Sequence, residues 1–458
     1  MAAPPSPSSA AGHPSGPLRF VAVGGGATPE STEISLEQDI ELVAGTLPSP
    51  GAVLFAGGSG SLSVREEDPK PHGDGVLLAL GQLFHPRVGR QSRYEAVRLD
   101  AARASMDNVE QTLGAALSSG QGPLLLYIAA HGDQGEKARD NAVALWGGQP
   151  LTVARLSELA EQHAARPLRL VVTSCFSGGF GELAFEHADE HRGPSRTLRC
   201  GVFAGTWDRE TSGCDPNPDR KEQESYGLHF IHALAGKDRD GRALATDLVD
   251  FDRDGTIGLL DAHTRARIAA ASLDVPTTTS ERYLRSVEHD GAPIDRKVLP
   301  EDAAVVDQLG GALSLRDEAS VEKRWHDLDA RMNRLDDALA DAQRALAVKE
   351  SELGSRLLER WPVLDDAYHP DFDAAFRRNR SAIEDILTRS PEARARATAR
   401  EAVNGADDEL SGLEVEEARL LRLRRAYETL HLASALVHKG GAAARFYQAL
   451  LACERAAP

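Results

Sequence analysis

The sequence predicts an α/β fold with a mostly parallel β-sheet, followed by an all-helical C-terminal region. Apolar runs at 124–130 and 168–174 are rich in aliphatic residues, and each follows an amphipathic segment of helical length. Alternation of strands with helices is typical of parallel sheets, because parallel neighbours need a long crossover connection. After about residue 315 the apolar residues recur at alternating four- and three-residue steps among charges, which is typical of packed helices.

The predicted strands and helices follow one another in turn along the first half of the chain. The strands are predicted at 18–23, 52–56, 124–130, 168–174 and 201–206, and the helices at 30–47, 101–117, 152–165 and 226–234. Residues 61–100 are polar, and we expect them to run over the sheet as an irregular excursion. The Pro- and Ser-rich segment 1–17 is predicted to be a disordered tail, before an α/β domain over 18–300 and a helical domain over 315–458.

Composition limits the partners and the compartment. The 458-residue chain has a formal net charge of −18, which argues against nucleic acid or an anionic membrane as a general partner. No apolar run approaches the ~18 residues that a membrane span needs, and the first residues do not resemble a signal peptide. Of the four cysteines, Cys200 and Cys214 could pair, but we expect a cytoplasmic chain without disulfides.

A histidine and a cysteine directly follow two of the predicted strands. The run at 124–130 ends in His131-Gly132, and the run at 168–174 ends at Cys175 before a Ser-Gly-Gly turn. Because the carboxyl ends of parallel strands meet at one edge of a sheet, we expect His131 and Cys175 to come together there. The alternative is structural: Cys175 is a small buried apolar residue, and His131 closes its strand at the surface.

This pair is suited to nucleophilic catalysis. A free thiol has a pKa of ~8.5, so a nucleophilic cysteine needs a neighbouring basic or cationic group. His131 could supply that group and later protonate a leaving amine. The backbone N–H groups of Gly132 and Cys175 could stabilise the oxyanion that develops during acyl transfer.

The residues around this pair resemble a known clan of cysteine peptidases. Ala129-Ala-His131-Gly132-Asp133, together with Thr173-Ser-Cys175-Phe-Ser-Gly-Gly179, is similar to the corresponding segments of caspases, metacaspases and legumains. The resemblance covers roughly residues 18–290 and implies a caspase-like α/β/α sandwich with a His131–Cys175 dyad and Gly132 beside the oxyanion. It also implies endopeptidase activity on protein substrates.

The segment 201–212 is similar to the strand that lines the primary specificity pocket in this clan. The resemblance makes Ser174, Trp207 and Asp208 the candidate substrate-binding residues, and an acidic Asp208 predicts a preference for a basic residue before the scissile bond. Thr173 stands where metacaspases usually have aspartate, and Thr-Ser-Cys replaces the Gln-Ala-Cys of caspases. The chain is therefore interpreted as a bacterial caspase-like protein outside both groups.

An acidic loop at 250–261 predicts a calcium site. Its residues follow the D-x-D-x-D-G pattern of an EF-hand loop, with an acid at the twelfth place. Ca²⁺ prefers six to eight oxygen ligands, and the predicted donors are Asp250, Asp252, Asp254, the Thr256 carbonyl and Asp261. The alternative is a solvated acidic turn.

The helical region is predicted to fold back on itself as a hairpin. Apolar seams at 321–346 and 420–437 can cover each other, while prolines and the glycines at 405 and 412 interrupt the chain between them. The sequence thus predicts a cysteine endopeptidase that Ca²⁺ or a protein partner on these helices regulates. The alternatives are a catalytically silent caspase-like scaffold and a calcium-responsive adaptor that acts through its helices.

Overall fold

The computed structural model describes residues 17–67, 73–84, 92–163, 166–287 and 293–458, so nearly all of the predicted tail at 1–17 lies outside the described residues. In chain order the strands are β1 (Phe20–Gly25), β2 (Gly51–Phe55), β3 (Leu62–Glu67), β4 (Ser92–Ala96), β5 (Leu124–Ala130), β6 (Gly132–Asp133), β7 (Ala142–Val143), β8 (Leu151–Thr152), β9 (Leu168–Val172), β10 (Arg199–Phe203) and β11 (Thr277–Thr278). The helices are α1 (Ile34–Thr46), α2 (Gly75–Phe84), α3 (Met106–Ser118), α4 (Val153–Gln162), α5 (Tyr226–Leu234), α6 (Leu259–Ala269), α7 (Thr279–Leu284), α8 (Pro300–Ala312), α9 (Glu318–Leu358), α10 (Phe372–Arg389), α11 (Pro391–Lys439) and α12 (Gly441–Arg455).

The main sheet has six strands in the order β11-β10-β9-β5-β1-β2. Every neighbouring pair is parallel except the antiparallel pair of β10 and β11. Every residue of β5 is buried, as expected for a central parallel strand that is covered on both faces. The predicted α/β class with a mostly parallel sheet is confirmed.

Helices cover both faces of this sheet. Alternate residues of β5 point to opposite sides, so Leu126 and Ile128 join a core with α3 and α4, while Tyr127 joins one with α1, α5 and α6. The domain is therefore a three-layer α/β/α sandwich, in which the strand ends are free to carry the loops of a site.

The segment at 61–100, predicted to be irregular, contains regular structure. Strands β3 and β4 pair as an antiparallel hairpin, and helix α2 lies between them in the sequence. The hairpin carries charged residues along both strands, for example the exposed Arg93 paired with the buried Glu66, and for this reason a search for apolar runs did not detect the strands.

The C-terminal region is an antiparallel helical hairpin, as the sequence predicted, but the predicted contact between the two seams is only partly right. Ion pairs place 331–350 of α9 beside 400–409 of α11, so only the start of the seam at 321–346 lies against the seam at 420–437. Helices α9 and α11 pack against each other and run in opposite directions. Residues further along α9 pair with residues nearer the start of α11. Ion pairs along the hairpin follow this order: Glu322 with Arg424, Arg324 with Glu416, Arg331 with Glu409 and Glu350 with Arg400. The glycines at 405 and 412 do not interrupt the chain: α11 continues through both, since its packing against α9 outweighs their low helix propensity.

The hairpin and the sandwich share one hydrophobic core. Tyr283 of α7 and Leu260 of α6 pack in a cluster with buried residues of α8, α9, α11 and α12. A disulfide joins Cys200 of β10 to Cys453 of α12, across 253 residues of sequence.

The expectation of a chain without disulfides is therefore wrong, and so is the suggested pairing of Cys200 with Cys214, which is a free thiol. The predicted cytoplasmic location rested in part on the expected lack of disulfides, and the bond removes that part of its support. Within the described ranges, no helix combines the length and the apolar character that crossing a bilayer requires.

Candidate active site

The two central parallel strands bring His131 and Cys175 to one edge of the sheet. Strands β5 and β9 are hydrogen-bonded neighbours in which Ile128 lies opposite Val172. Both strands end within three residues of that pair, so His131 and Cys175 occupy adjacent loops beyond the carboxyl ends of the strands. This is the edge at which open α/β sheets place their functional residues.

Gly132 lies directly against the backbone of Cys175. A Cβ atom built on Gly132 would be 2.0 Å from the Cys175 carbonyl oxygen and 3.2 Å from its backbone nitrogen. No residue with a side chain can occupy this position without moving the cysteine turn. The next residue in that turn, Phe176, has a φ of 58°, which directs the chain sharply away from β9.

The imidazole of His131 faces a carboxylate and a second thiol. Its Nε2 lies 2.8 Å from Oε2 of Glu33, and the Cys214 sulfur lies within 4.8 Å of both groups. The Cys214 thiol and the Glu33 carboxylate together raise the pKa of His131 to about 11, although burial opposes the shift. Burial also raises the pKa of the Cys214 thiol, so at neutral pH it is the Glu33 carboxylate that favours the imidazolium form of His131. No hydrogen bond within the described residues joins His131 to Cys175.

The sulfur of Cys175 contacts the backbone of Thr211. The Thr211 N–H donates to Cys175 Sγ at 3.2 Å, and the Thr211 hydroxyl lies at 3.7 Å. The neighbouring Ser212 N–H donates to the buried carboxylate of Asp274 at 2.6 Å. The loop that contacts the Cys175 thiol is therefore held in place by a hydrogen bond to the buried Asp274 carboxylate.

Asp274 is itself fixed by the helical hairpin. Its carboxylate also accepts from the N–H of Tyr226, and its backbone carbonyl accepts from the guanidinium of Arg422 on α11 at 2.6 Å. On the other side of the same loop, Arg209 pairs with Glu417 of α11. The hairpin thus contacts the loop beneath the candidate nucleophile at two points.

The three predicted substrate-binding residues lie in different environments. Trp207 is 41% exposed, and Asp208 is exposed, with Oδ1 accepting from the Thr206 hydroxyl at 2.7 Å. Ser174 is buried, and its hydroxyl has no hydrogen-bond partner among the described residues. Contact of these residues with a substrate stays a prediction, and for Ser174 it would require the cysteine turn to open.

Asn141 connects the cysteine turn to the loop that carries Trp207. Its buried side-chain amide donates to the carbonyl of Phe176 at 2.9 Å and to the carbonyl of Trp207 at 2.7 Å. The two loops are thereby held at a fixed spacing.

Sequence reasoning missed the residues that surround the predicted pair. Glu33 lies 98 residues before His131, at the start of a predicted helix, and belongs to no recognisable motif. Cys214 was considered only as a possible disulfide partner, and Thr211 acts through its backbone, which no side-chain pattern reveals. A free cysteine in a loop after a strand was the one available signal.

Three of the predicted calcium ligands converge. Carboxylate oxygens of Asp250, Asp252 and Asp254 lie within 4.8 Å of one another. The turn that brings them together needs Gly255, whose φ is +87°. Thr256 is exposed at the rim, and its hydroxyl donates to Asp254 Oδ1 at 2.7 Å. This set of hard oxygen donors fits Ca²⁺.

Asp261 lies outside this cluster. Its Oδ1 accepts from the N–H of Phe251 and its Oδ2 from the N–H of Gly258, so it caps the start of α6. Burial raises the pKa of Asp261 to about 6. A ligand role for Asp261 stays a prediction that would require these backbone bonds to be given up.

The acidic loop also contacts the C-terminal helix. The Arg455 side chain of α12 lies 3.6 Å from Asp252 and pairs with the buried Glu301 at 2.6 Å. A cation bound to Asp252 would therefore compete with Arg455, which connects the loop to the packing of α12.

Comparison with known proteins adds little. Neither a protein-family profile nor the sequence of a characterised protein matches this chain. Among solved structures, caspase-1 from Spodoptera frugiperda aligns at 12% identity over 58% of this chain and 89% of its own length, with a TM-score of 0.30. A likeness this weak supports no argument, so function is argued below from the site.

Proposed function

We propose that this protein is a cysteine endopeptidase that cleaves protein substrates with Cys175 as the nucleophile and His131 as its acid–base partner. The observation that carries the proposal is the pairing of β5 with β9, which brings both residues to one sheet edge with Gly132 packed against Cys175. Acyl transfer needs a nucleophile, a group that carries protons, and backbone N–H donors in one place. This sheet edge has a candidate for each of the three.

The state of His131 defines the acid–base roles. With a raised pKa, its imidazolium can give a proton to the leaving amine at neutral pH, which is the general-acid role. Taking a proton from the Cys175 thiol requires neutral imidazole, so the contact with Glu33 has to weaken before the base role begins. Glu33 is therefore a positioning residue that sets the orientation and charge of His131, and its contact must change before His131 can act on Cys175.

Calcium is proposed as a stabilising cation at the Asp250–Asp252–Asp254 cluster. The support is the convergence of three carboxylates around the Gly255 turn and the contact of Asp252 with Arg455. When bound, Ca²⁺ would supply positive charge that offsets the repulsion among the three carboxylates. The cation would replace Arg455 as the partner of Asp252, while Arg455 would keep its ion pair with Glu301, so binding would stabilise the loop and leave α12 attached.

A second candidate is a catalytically silent scaffold or calcium-responsive adaptor that binds a protein partner through the hairpin. The observation that favours it is the orientation of His131 toward Glu33 and Cys214 instead of Cys175. The charged outer faces of α9 and α11 would serve as the binding surface in this case. If a thiol-directed peptide electrophile never labels Cys175 when Ca²⁺ is present, the second candidate is favoured.

The test of the peptidase is cleavage of a peptide library by the full-length protein, with Ca²⁺ present. Cys175→Ala should abolish cleavage, and His131→Ala should lower it by about 10²–10⁴-fold, the usual contribution of general acid–base catalysis. His438→Ala, which removes an exposed histidine of α11, serves as the matched control and should cleave normally. Cleavage by Cys175→Ala at the wild-type rate would refute the proposal.

A further inference from the structure

Glu33, His131 and Cys214 form a cluster of three different metal-ligating side chains. One carboxylate oxygen, one ring nitrogen and the thiol sulfur all lie within 4.8 Å of one another. The three residues come from separate parts of the fold: the turn before α1, the end of β5 and the loop after β10. Local sequence constraints therefore do not explain why they meet.

The carboxylate of this cluster is held in place from behind. Arg65 donates to Oε1 of Glu33 at 2.7 Å, which leaves Oε2 directed at His131. Arg65 is itself paired with Glu67, so part of its charge is offset at the site. The Glu33 side chain is only 5% exposed. Outer partners that orient a ligating carboxylate in this way are a regular feature of built metal sites.

From this juxtaposition we infer that Glu33, His131 and Cys214 form a binding site for a thiophilic divalent transition metal, of which Zn²⁺ is the best match. Zinc takes carboxylate oxygen, imidazole nitrogen and thiolate sulfur in tetrahedral sites, and three protein ligands leave a fourth position for water. Ligand atoms in such a site are about 3.3–3.6 Å apart, given Zn–N and Zn–S bonds of ~2.0 and ~2.3 Å. The Glu33–His131 contact of 2.8 Å would have to open by only about half an ångström.

The metal binds with balanced charge. The thiolate of Cys214 and the carboxylate of Glu33 neutralise the two positive charges. On binding, the Cys214 thiol and the His131 imidazolium each give up one proton to solvent, because only a thiolate and a neutral imidazole can ligate the metal. This site is separate from the acidic loop at 250–261, whose ligands are all oxygens and suit a hard cation.

Occupancy of this site would restrain catalysis. A metal on the His131 imidazole blocks proton transfer to and from that ring, so the bound form would be inactive. This consequence rests on the proposed function, whereas metal binding itself does not.

The experiment is a titration of the full-length protein with Co²⁺, prepared without thiol reductant or chelator. Cobalt replaces zinc with the same geometry, and a thiolate ligand gives a sulfur-to-cobalt charge-transfer band in the near ultraviolet. All four cysteines lie in the described residues, and Cys200 and Cys453 are joined to each other, so a band can come only from Cys175 or Cys214. The Cys175→Ser variant, in which Cys214 is the remaining thiol, is the matched control and should keep the band.

Cys214→Ser should lose the band, and Glu33→Gln, which preserves side-chain shape, should weaken Co²⁺ binding at least tenfold. Zn²⁺ should displace Co²⁺, because a soft thiolate ligand favours zinc. Near-ultraviolet circular dichroism confirms that each variant is folded. A wild-type protein without the band at millimolar Co²⁺, or a band that survives in Cys214→Ser, would overturn the inference. A protein that shows the band with Co²⁺ but cleaves nothing after the metal has been removed would leave the metal site in place and refute only the peptidase.

Discussion

Arg422 offers the sharpest test of how the helical hairpin is joined to the sandwich. This arginine of α11 is 1% exposed, and its guanidinium donates to four backbone carbonyls, those of Arg267, Ala270, Ser272 and Asp274. Two of these carbonyls belong to the C-terminal end of α6, where a cation also complements the helix dipole. Burial lowers the pKa of Arg422 to about 10, so the group stays charged at neutral pH.

Arg422→Ala should lower the free energy of unfolding by about 4–5 kcal/mol. Four buried carbonyls lose their donor at about 1 kcal/mol each, and the vacated space adds about 1 kcal/mol. Arg422→Lys keeps the charge but not the planar fork, so it should recover only about half of this loss. Arg394→Ala, which removes an exposed arginine of the same helix, should change the stability by less than about 0.5 kcal/mol.

Urea denaturation followed by tryptophan fluorescence measures these differences, and hydrogen exchange locates them. The amides of Ser212 and Tyr226 donate to the Asp274 carboxylate, so they should lose protection in Arg422→Ala. If Arg422→Ala costs less than about 1 kcal/mol and leaves both amides protected, the arginine does not support the loop beneath Cys175. The hairpin would then not stabilise the loop at the candidate nucleophile through Arg422 and Asp274.

Two other predictions concern the acidic loop and the buried end of α12. Millimolar Ca²⁺ should raise the melting temperature, since a hundredfold excess over Kd adds about 2.7 kcal/mol to the free energy of unfolding. The double variant Asp250→Asn/Asp252→Asn should lose this rise. The control Asp240→Asn, in an exposed turn outside the loop, should retain it. No rise in the wild-type protein would mean that the loop is only an acidic turn. Burial raises the pKa of Glu454 to about 8, so the folded state holds the proton of this carboxyl more tightly than the unfolded state does. The free energy of unfolding should therefore fall by about 4–5 kcal/mol as pH rises from about 4.5 to 8. Glu454→Gln should flatten this part of the stability curve measured by denaturation at several pH values, and an unchanged slope would contradict the assignment.

The parts of the fold that the sequence predicted are those with local signals. Strand β5 is a continuous apolar run because both its faces are buried, and β9 is apolar except for Arg169, so both could be recognised without their neighbours. Their ends carry His131 and Cys175, and the parallel rule alone was enough to expect these residues at one edge. The heptad spacing in α9 likewise predicted a covered seam.

The features that were missed depend on distant parts of the chain. Glu33 meets His131 only because β1, which precedes it, lies beside β5 in the sheet. Cys200 meets Cys453 because α12 packs on β10, and no spacing of two cysteines 253 residues apart indicates that. Gly405 and Gly412 were given too much weight as breaks, since helix packing along α11 overrides local propensity.

The bond between Cys200 and Cys453 makes the chain a closed covalent ring over more than half of its length. A single backbone cut by a protease anywhere between these residues would not separate the two pieces. The nicked molecule would migrate as one species in electrophoresis without reductant and as two species with it. A chain built in this way can be processed to a two-chain form and still keep its helical hairpin attached to the sheet.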